Sequence, residues 1–590
     1  MHTTHIRRTR AVALLLLLCL LFVNTGAQTG SHANASVNQA RTQRENSAAQ
    51  RPRLVLLIVV DQFRYDYLER FGDLFVANGL RRLLRDGASW TNANYDHMPT
   101  YTAPGHAALL TGTWPAENGI IGNEWFDRET GKRITSVTDA TTKAVGGGAA
   151  DVVGASPRRL MASTLGDELR IVSNDRAKVI GISLKDRAAI LPAGRHASAA
   201  YWFSSLSGRM ISSDYYFNQL PAWVTAFNDT KPADKYFGAR WDRLLADTRE
   251  YERRAGPDAP AWEQVGNAPN SISFPHTITG GLTAPGRAFY ESLDYTPFAN
   301  DLLLAFTEQA IEHEQLGADA DTDLLALSFS SNDYVGHRYG PYSQEAMDVT
   351  LRVDRQIAAL LDYVDAHVGL QNTIVAFTAD HGVAPIPEHA TALNLPGGRI
   401  SSADVLTAVR NAIKAHFARP NESKDTTADY VVDMLLNNNI YFNPVALKRD
   451  AVDRAEVERV ACEGALTVPG IARCFTRTQL ERGAIDETTD VVARRVAHGF
   501  NARRSGDVVF VQEPYKYVTE GSAILPATHG TPYTYDTHVP LIIMGRGLVP
   551  GRYAQAATPA DIAPTLANLL RVQAPSNATG RLLLEAFGSK

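Results

Sequence analysis

Four runs in the chain are apolar almost without a break, and each stops on residues that carry charge or can bind a metal. "LVLLIVV" (Leu54–Val60) ends at Asp61, and "KVIGISL" (Lys178–Leu184) ends at Lys185, Asp186 and Arg187. "DLLALSFSS" (Asp323–Ser331) ends just before Asp333, and "TIVAFTA" (Thr373–Ala379) ends at Asp380 and His381. Apolar runs of this length, rich in β-branched residues, predict strands of a parallel sheet buried on both faces. Between them, "GDLFVANGLRRLLRDG" reads as helical, as does the series Met347, Leu351, Ile357, Leu361, Val364 and Val368. Alternating strand and helix signals predict an α/β sandwich with a mostly parallel central sheet and helices on both faces. "HVPLIIMG" (His538–Gly545) and "ADIAPTLANLL" (Ala560–Leu570) return the chain to that core.

Two stretches break the alternation. Residues about 205–300 are rich in aromatics, Pro and Asn, and residues about 395–505 form a separate mixed segment. Both are expected to be insertions that cap the site. At the other end, Arg7, Arg8 and Arg10 precede "AVALLLLLCLLFVNTGAQ", which reads as a secretory signal, residues 1–27, cut after Ala27. The alternative, a retained anchor, meets a run too short for a comfortable membrane span. Residues 28–52 are polar and read as a disordered tether, which leaves 53–590 as the folded part. The mature protein is therefore expected to be periplasmic or secreted and monomeric, with no stable membrane insertion.

Composition adds two limits. With 590 residues the chain can bury a large core, and its formal net charge of −5 gives no support for a nucleic-acid partner. Two cysteines remain after the signal, Cys462 and Cys474; they either pair across a short loop or stay as buried thiols.

The chemistry sits where the strands stop. Ligands of α/β sheets bind beyond the carboxyl ends of the strands. One Asp there is usually a turn or a cap, but four strands ending on Asp, His, Lys and Arg point to a site. The candidate metal ligands are Asp61, Asp333, His337, Asp380, His381 and His529. Three carboxylates and three imidazoles suit two Zn²⁺ ions with positions left for substrate. Asp333 and His337 are four apart in "NDYVGH", so a helical turn brings them to one face. His196, His276, His313 and His367 read as structural, and His106 and His538 as supports of the local fold.

"PTYTAPGHAALLTG" (Pro99–Gly112) places Thr102 at the head of a helix-like run. A hydroxyl there can be a simple cap. It can also be a nucleophile facing an anion at a helix N-terminus, activated by a metal. With two zinc ions at hand, the second reading accounts for Thr102 better.

The ordered set "VVDQFRYDYL", "PTYTAPGHAALLTG", "GNEWFD", "SLKDRAAILPAG", "NDYVGHRYG", "ADHG" and "THG…YDTHVPLIIMG" resembles the alkaline phosphatase superfamily, and within it the PafA-type, phosphate-insensitive alkaline phosphatases. The resemblance spans about residues 52–590. It implies an alkaline-phosphatase-like sandwich and a covalent phosphothreonine at Thr102. It also implies one zinc on Asp61, Thr102, Asp380 and His381, and another on Asp333, His337 and His529. It further implies that Lys185, Arg187 and Asn123 hold the phosphoryl oxygens. Lys185 and Arg187, two apart in a segment expected to be extended, would point the same way. A cationic pair favours the three non-bridging oxygens of a phosphate monoester over the two of a diester. Small phosphate monoesters are thus the expected substrates, and a phosphodiesterase or nucleotide pyrophosphatase of the same superfamily is the alternative. A sulfatase would need Cys or Ser where Thr102 stands.

Overall fold

The computed structural model describes residues 51–148, 151–264, 271–417, 426–519 and 525–587. The signal segment and nearly all of the tether lie outside them. Five elements carry the site in the first half of the fold: strand β1 (Leu54–Val60), helix α1 (Thr102–Thr111), strand β2 (Val179–Ser183), helix α2 (Asp186–Ala193) and strand β3 (Asp323–Phe329). Helices α3 (Ser331–Tyr339) and α4 (Gln344–His367) and strand β4 (Thr373–Thr378) follow.

Every residue of β1, β2, β3 and β4 is buried, as strands covered on both faces must be. β1 pairs in parallel with β3 on one side and β4 on the other, with Leu54 opposite both Asp323 and Thr373. β2 lies on the far side of β3, with Ser183 opposite Ser328. This register brings the carboxyl ends of all four strands to one edge. Beyond β4 the sheet continues through Leu541–Met544, Ala88–Ala93 and Gly551–Ala557. Beyond β2 it adds Ala199–Ser204, Arg209–Ser213, Thr138–Val145 and Val153–Ala155, giving eleven strands. Only Leu541–Met544, Arg209–Ser213 and Val153–Ala155 run against the rest, so the sheet is mostly parallel.

Two local expectations change. The helix expected across "GDLFVANGLRRLLRDG" is split into a short turn at Gly72–Leu74 and a helix at Leu80–Asp86. The carboxylate of Asp354 on α4 restarts it, accepting the N–H of Val76 and of Leu80 at 2.7 Å each. Only glycine fits at 79, because a Cβ there would lie 2.2 Å from Asp354 Oδ1. The segment Lys185–Arg187 is not extended throughout: Lys185 is the last extended residue, and Arg187 lies in the first turn of α2.

Residues 398–519 build a second core. A four-stranded sheet runs in the order Val431–Leu436, Asn439–Phe442, Val508–Gln512, Ile471–Thr476. Helices Ser402–Phe417 and Arg454–Leu466 bring Val405, Val409, Ile413 and Val457 onto it. A disulfide between Cys462 and Cys474 ties the second of these helices to its neighbouring strand. The segment around 205–300 instead merges with the main body: Arg209–Ser213 extends the central sheet, and Phe289 and Leu293 enter its core.

Candidate active site

The strand ends deliver the site. Asp61 follows β1, Lys185 follows β2, Asp333 and His337 stand one turn apart on α3, and Asp380 and His381 follow β4. Thr102 is the first residue of α1, after Tyr101 in extended conformation. α1 is buried along its whole length and lies close against the end of β4. A Cβ at Gly105 would be 2.2 Å from the carbonyl oxygen of Asp380, so the glycine permits that approach.

Six of the expected ligands fall into two groups, Asp333 with His337 and His529, and Asp61 with Asp380 and His381; in each, one ligand atom per residue lies within 4.8 Å of the others. In the first, Asp333 Oδ1 is 3.3 Å from His337 Nε2 and 3.6 Å from His529 Nε2. In the second, His381 Nε2 is 3.3 Å from Asp380 Oδ2 and 3.5 Å from Asp61 Oδ1.

The hydrogen bonds around these groups fit a metal. Each imidazole presents Nδ1 to a main-chain carbonyl: His337 to Ala527 at 2.7 Å, His381 to Gly382 at 2.9 Å and His529 to Thr100 at 2.8 Å. That assigns the proton to Nδ1 and leaves the Nε2 lone pair pointing into the group. His337 Nε2 and His529 Nε2 then face each other at 3.3 Å, a repulsive contact unless a cation lies between. Asp61 Oδ1 and His381 Nε2 are buried with no hydrogen-bond partner. Buried polar atoms are seldom left so without a ligand to meet them.

The charge balance agrees. Of three buried carboxylates, two contact the one ammonium at hand, that of Lys185, whose Nζ is 2.7 Å from Asp61 Oδ2 and also touches Asp333 Oδ2; Asp380 has no ammonium in contact among the described residues. Burial, reinforced by Asp380 and Asp333, pushes the Asp61 carboxyl well above the ordinary carboxylate range, against the pull of Lys185. Burial would also raise Asp333, but the His337 imidazole and Lys185 overcome it and hold Asp333 well below that range. Burial takes the His381 imidazole down to about 3 and lowers His337 against the pull of Asp333, toward the neutral form that binds a metal. The mixed Asp and His donors fit Zn²⁺, and two divalent cations would relieve the surplus negative charge.

The other expected residues cluster at the same edge. Asn123 Oδ1 accepts the N–H of Ala103, next to Thr102, at 2.9 Å. Lys185 also lies 5.0 Å from the ring centre of Tyr334. Arg187 contacts only Asp186 among ion pairs of the described residues, at 3.9 Å, and its Nε is buried without a partner. A cavity of about 450 Å³ opens over the site, bordered by Tyr101, Asn123, His337 and His529 and by Arg399 and Asn437 of the 398–519 lobe.

Three contributions escaped the sequence. Gln62 bonds to carboxylates of both groups; its only signal is its place directly after a strand-end Asp. His106 does more than support its own helix: Nδ1 is 2.9 Å from Thr102 O and 3.1 Å from Asp380 Oδ2, and Nε2 is 2.8 Å from Ser328 Oγ. Its spacing of four from Thr102 was the available clue. Asn437 arrives from a distant lobe, and nothing local pointed to it.

Sheet, ligand groups and threonine-headed helix together define a class. Residues 55–533 match the model of type I phosphodiesterase / nucleotide pyrophosphatase, and the chain belongs to that family of the alkaline phosphatase superfamily. It is 35% identical to alkaline phosphatase PhoV of Synechococcus elongatus over 96% of this chain and 99% of the relative. It is 34% identical to alkaline phosphatase PafA of Elizabethkingia meningoseptica, over 92% of this chain and 96% of the relative. The crystal structure of wild-type PafA superposes with a TM-score of 0.82 at 32% identity, covering 91% of this chain and 99% of that one. A PafA variant of known structure is substituted at a Thr, an Asn, a Lys and an Arg, in that order and 21, 62 and 2 positions apart. Thr102, Asn123, Lys185 and Arg187 have the same order and spacing.

Proposed function

We propose that the protein is an exported phosphate monoester hydrolase, an alkaline phosphatase that works through a covalent phosphothreonine at Thr102 with two zinc ions. The observation that carries this reading is the pair of buried Asp and His groups at the strand ends, beside the helix that Thr102 heads. The names of the two whole-length relatives support the monoester substrate. The shared spacing of the four residues substituted in PafA supports the roles given to Thr102, Asn123, Lys185 and Arg187.

In this reading Asp61, Thr102, Asp380 and His381 hold one zinc, and Asp333, His337 and His529 hold the other. Bound there, two ions would supply Lewis-acid charge that favours deprotonation of Thr102 and offsets charge on the leaving oxygen. Thr102 attacks phosphorus in line, and water then hydrolyses the phosphothreonine. The N-terminus of α1 presents main-chain N–H groups to the phosphoryl oxygens. Asn123 is held against that N-terminus by Ala103 N–H. Lys185 brings its charge between the two carboxylate groups, and Arg187 adds a second cation on the first turn of α2. Among the described residues no helix is long and apolar enough to cross a membrane, and the Cys462–Cys474 disulfide suits an oxidising compartment.

The matched family model is named for phosphodiesterases, which keeps diester hydrolysis as the second reading. One comparison separates the two: kcat/KM for an aryl phosphate against its methyl diester, in wild type and in Lys185→Ala and Arg187→Ala. The monoester is expected to win, and each variant to lose about 10²–10³-fold on it. A diester preference, with the variants unchanged, would move the protein to the other reading.

A further inference from the structure

Two adjacent metal groups work together only at a fixed separation, and their ligands come from β1, α3, β4 and a loop far along the chain. Gln62 connects them. It follows Asp61 with a φ of 64°, in the left-handed region that side chains other than glycine enter at a cost. In that conformation its main-chain N–H donates to Asp380 Oδ1 at 3.1 Å, and its side-chain Nε2 donates to Asp333 Oδ1 at 2.7 Å. One residue thus grips a carboxylate of each group, one through its backbone and one through its amide.

The amide is aimed at the ligand atom itself. Asp333 Oδ1 is the oxygen that faces His337 and His529, while Oδ2 is engaged by Lys185. With both oxygens fixed, the carboxylate cannot rotate. The helix bearing Asp333 is shaped to receive the amide: a Cβ at Gly336 would fall 1.8 Å from Gln62 Oε1. Gln62 is 2% exposed, so no solvent contact accounts for a polar side chain there.

Resting on the two-metal reading above, we propose that Gln62 is a positioning residue that locks Asp333 and so sets the spacing between the two metal groups. The test is zinc binding to the apo protein, followed by competition with a chromophoric chelator, for wild type and Gln62→Met. Methionine keeps the length of the side chain but removes its donor, and the bond from the main-chain N–H to Asp380 survives. Wild type is expected to bind two ions. Gln62→Met should hold one with unchanged affinity and the second about 10–100-fold more weakly, with excess zinc restoring turnover. In a His529→Ala background, where the Asp333 group is already incomplete, Gln62→Met should leave the remaining ion's affinity unchanged. Gly336→Ala, which displaces the amide from the opposite side, should produce the same selective loss. Two ions at wild-type affinity in Gln62→Met, or equal weakening of both, overturns the proposal. A wild-type protein that binds fewer than two ions overturns the two-metal reading, and the proposal with it.

Discussion

The lobe of residues 398–519 reaches toward the head of α1 through Asn437, which borders the cavity but belongs to neither ligand group. Asn437 Nδ2 donates to the carbonyl of Glu124 at 2.6 Å, and a Cβ on Gly122 would lie 2.2 Å from the same nitrogen. Asn123 stands between Gly122 and Glu124, so the lobe clamps the residue whose amide is bonded to the head of α1. Asn437 has a φ of 54°, which glycine adopts freely, so Asn437→Gly removes the hydrogen bond without straining the backbone. One such bond is worth about 1 kcal/mol net, and about 1.4 kcal/mol is a tenfold change in rate. With Asn123 still present but unbraced, kcat/KM for an aryl phosphate should fall about 3–10-fold at saturating zinc. Asn123→Ala, which deletes the donor, should cost about 10²–10³-fold. Asn437→Ala should match the glycine variant in kcat/KM but lose a further 1–2 kcal/mol or so of stability in urea, the cost of a left-handed alanine. Wild-type kcat/KM in Asn437→Gly, or a loss as deep as that of Asn123→Ala, would refute the clamp.

Two other outcomes are expected. Thr102→Ala should lower monoester turnover by about 10³-fold or more and leave no phosphoryl adduct on acid-quenched protein by mass spectrometry, whereas Thr102→Ser should keep the adduct; an adduct in the alanine variant would exclude Thr102. Asp323, buried at the foot of β3 with its oxygens on Lys178 N–H and Gly317 N–H, is raised by burial to about 6. The folded state then binds more protons than the unfolded state between about pH 4 and 6, so this residue's contribution to stability is full below pH 4 and is lost as pH rises through 6. Denaturant titrations should show a fall on the order of 1–3 kcal/mol across that window in wild type and a flatter curve in Asp323→Asn; parallel curves would contradict the assignment.

Much of the central fold was legible because burial on both faces leaves a plain mark. β1, β2, β3 and β4 are buried throughout and largely apolar, and the polar residues at their carboxyl ends mark the edge where chemistry gathers. Asp333 and His337 were readable as neighbours because helical spacing is a local fact. The grouping of ligands was not legible from spacing: His529 meets Asp333 across 196 positions of chain, and only the packed sheet creates that meeting. The break at Gly79 was hidden for the same reason, since its cause is Asp354 on a later helix. Gln62 was passed over because its role depends on a left-handed backbone that a single glutamine in a sequence does not announce.

The two ligand groups draw on residues from Asp61 to His529, and β1, which carries the first of them, is hydrogen-bonded to strands near positions 323 and 373. A chain made from its N-terminus therefore lacks a complete group of Asp333, His337 and His529 until synthesis has passed His529. Contacts of such long sequence separation form late and slowly. Assembly of the paired ligand groups then becomes a late step of folding: partly made chains carry scattered Asp and His residues but no assembled pair, and the two groups come together only once the segment bearing His529 has folded into place.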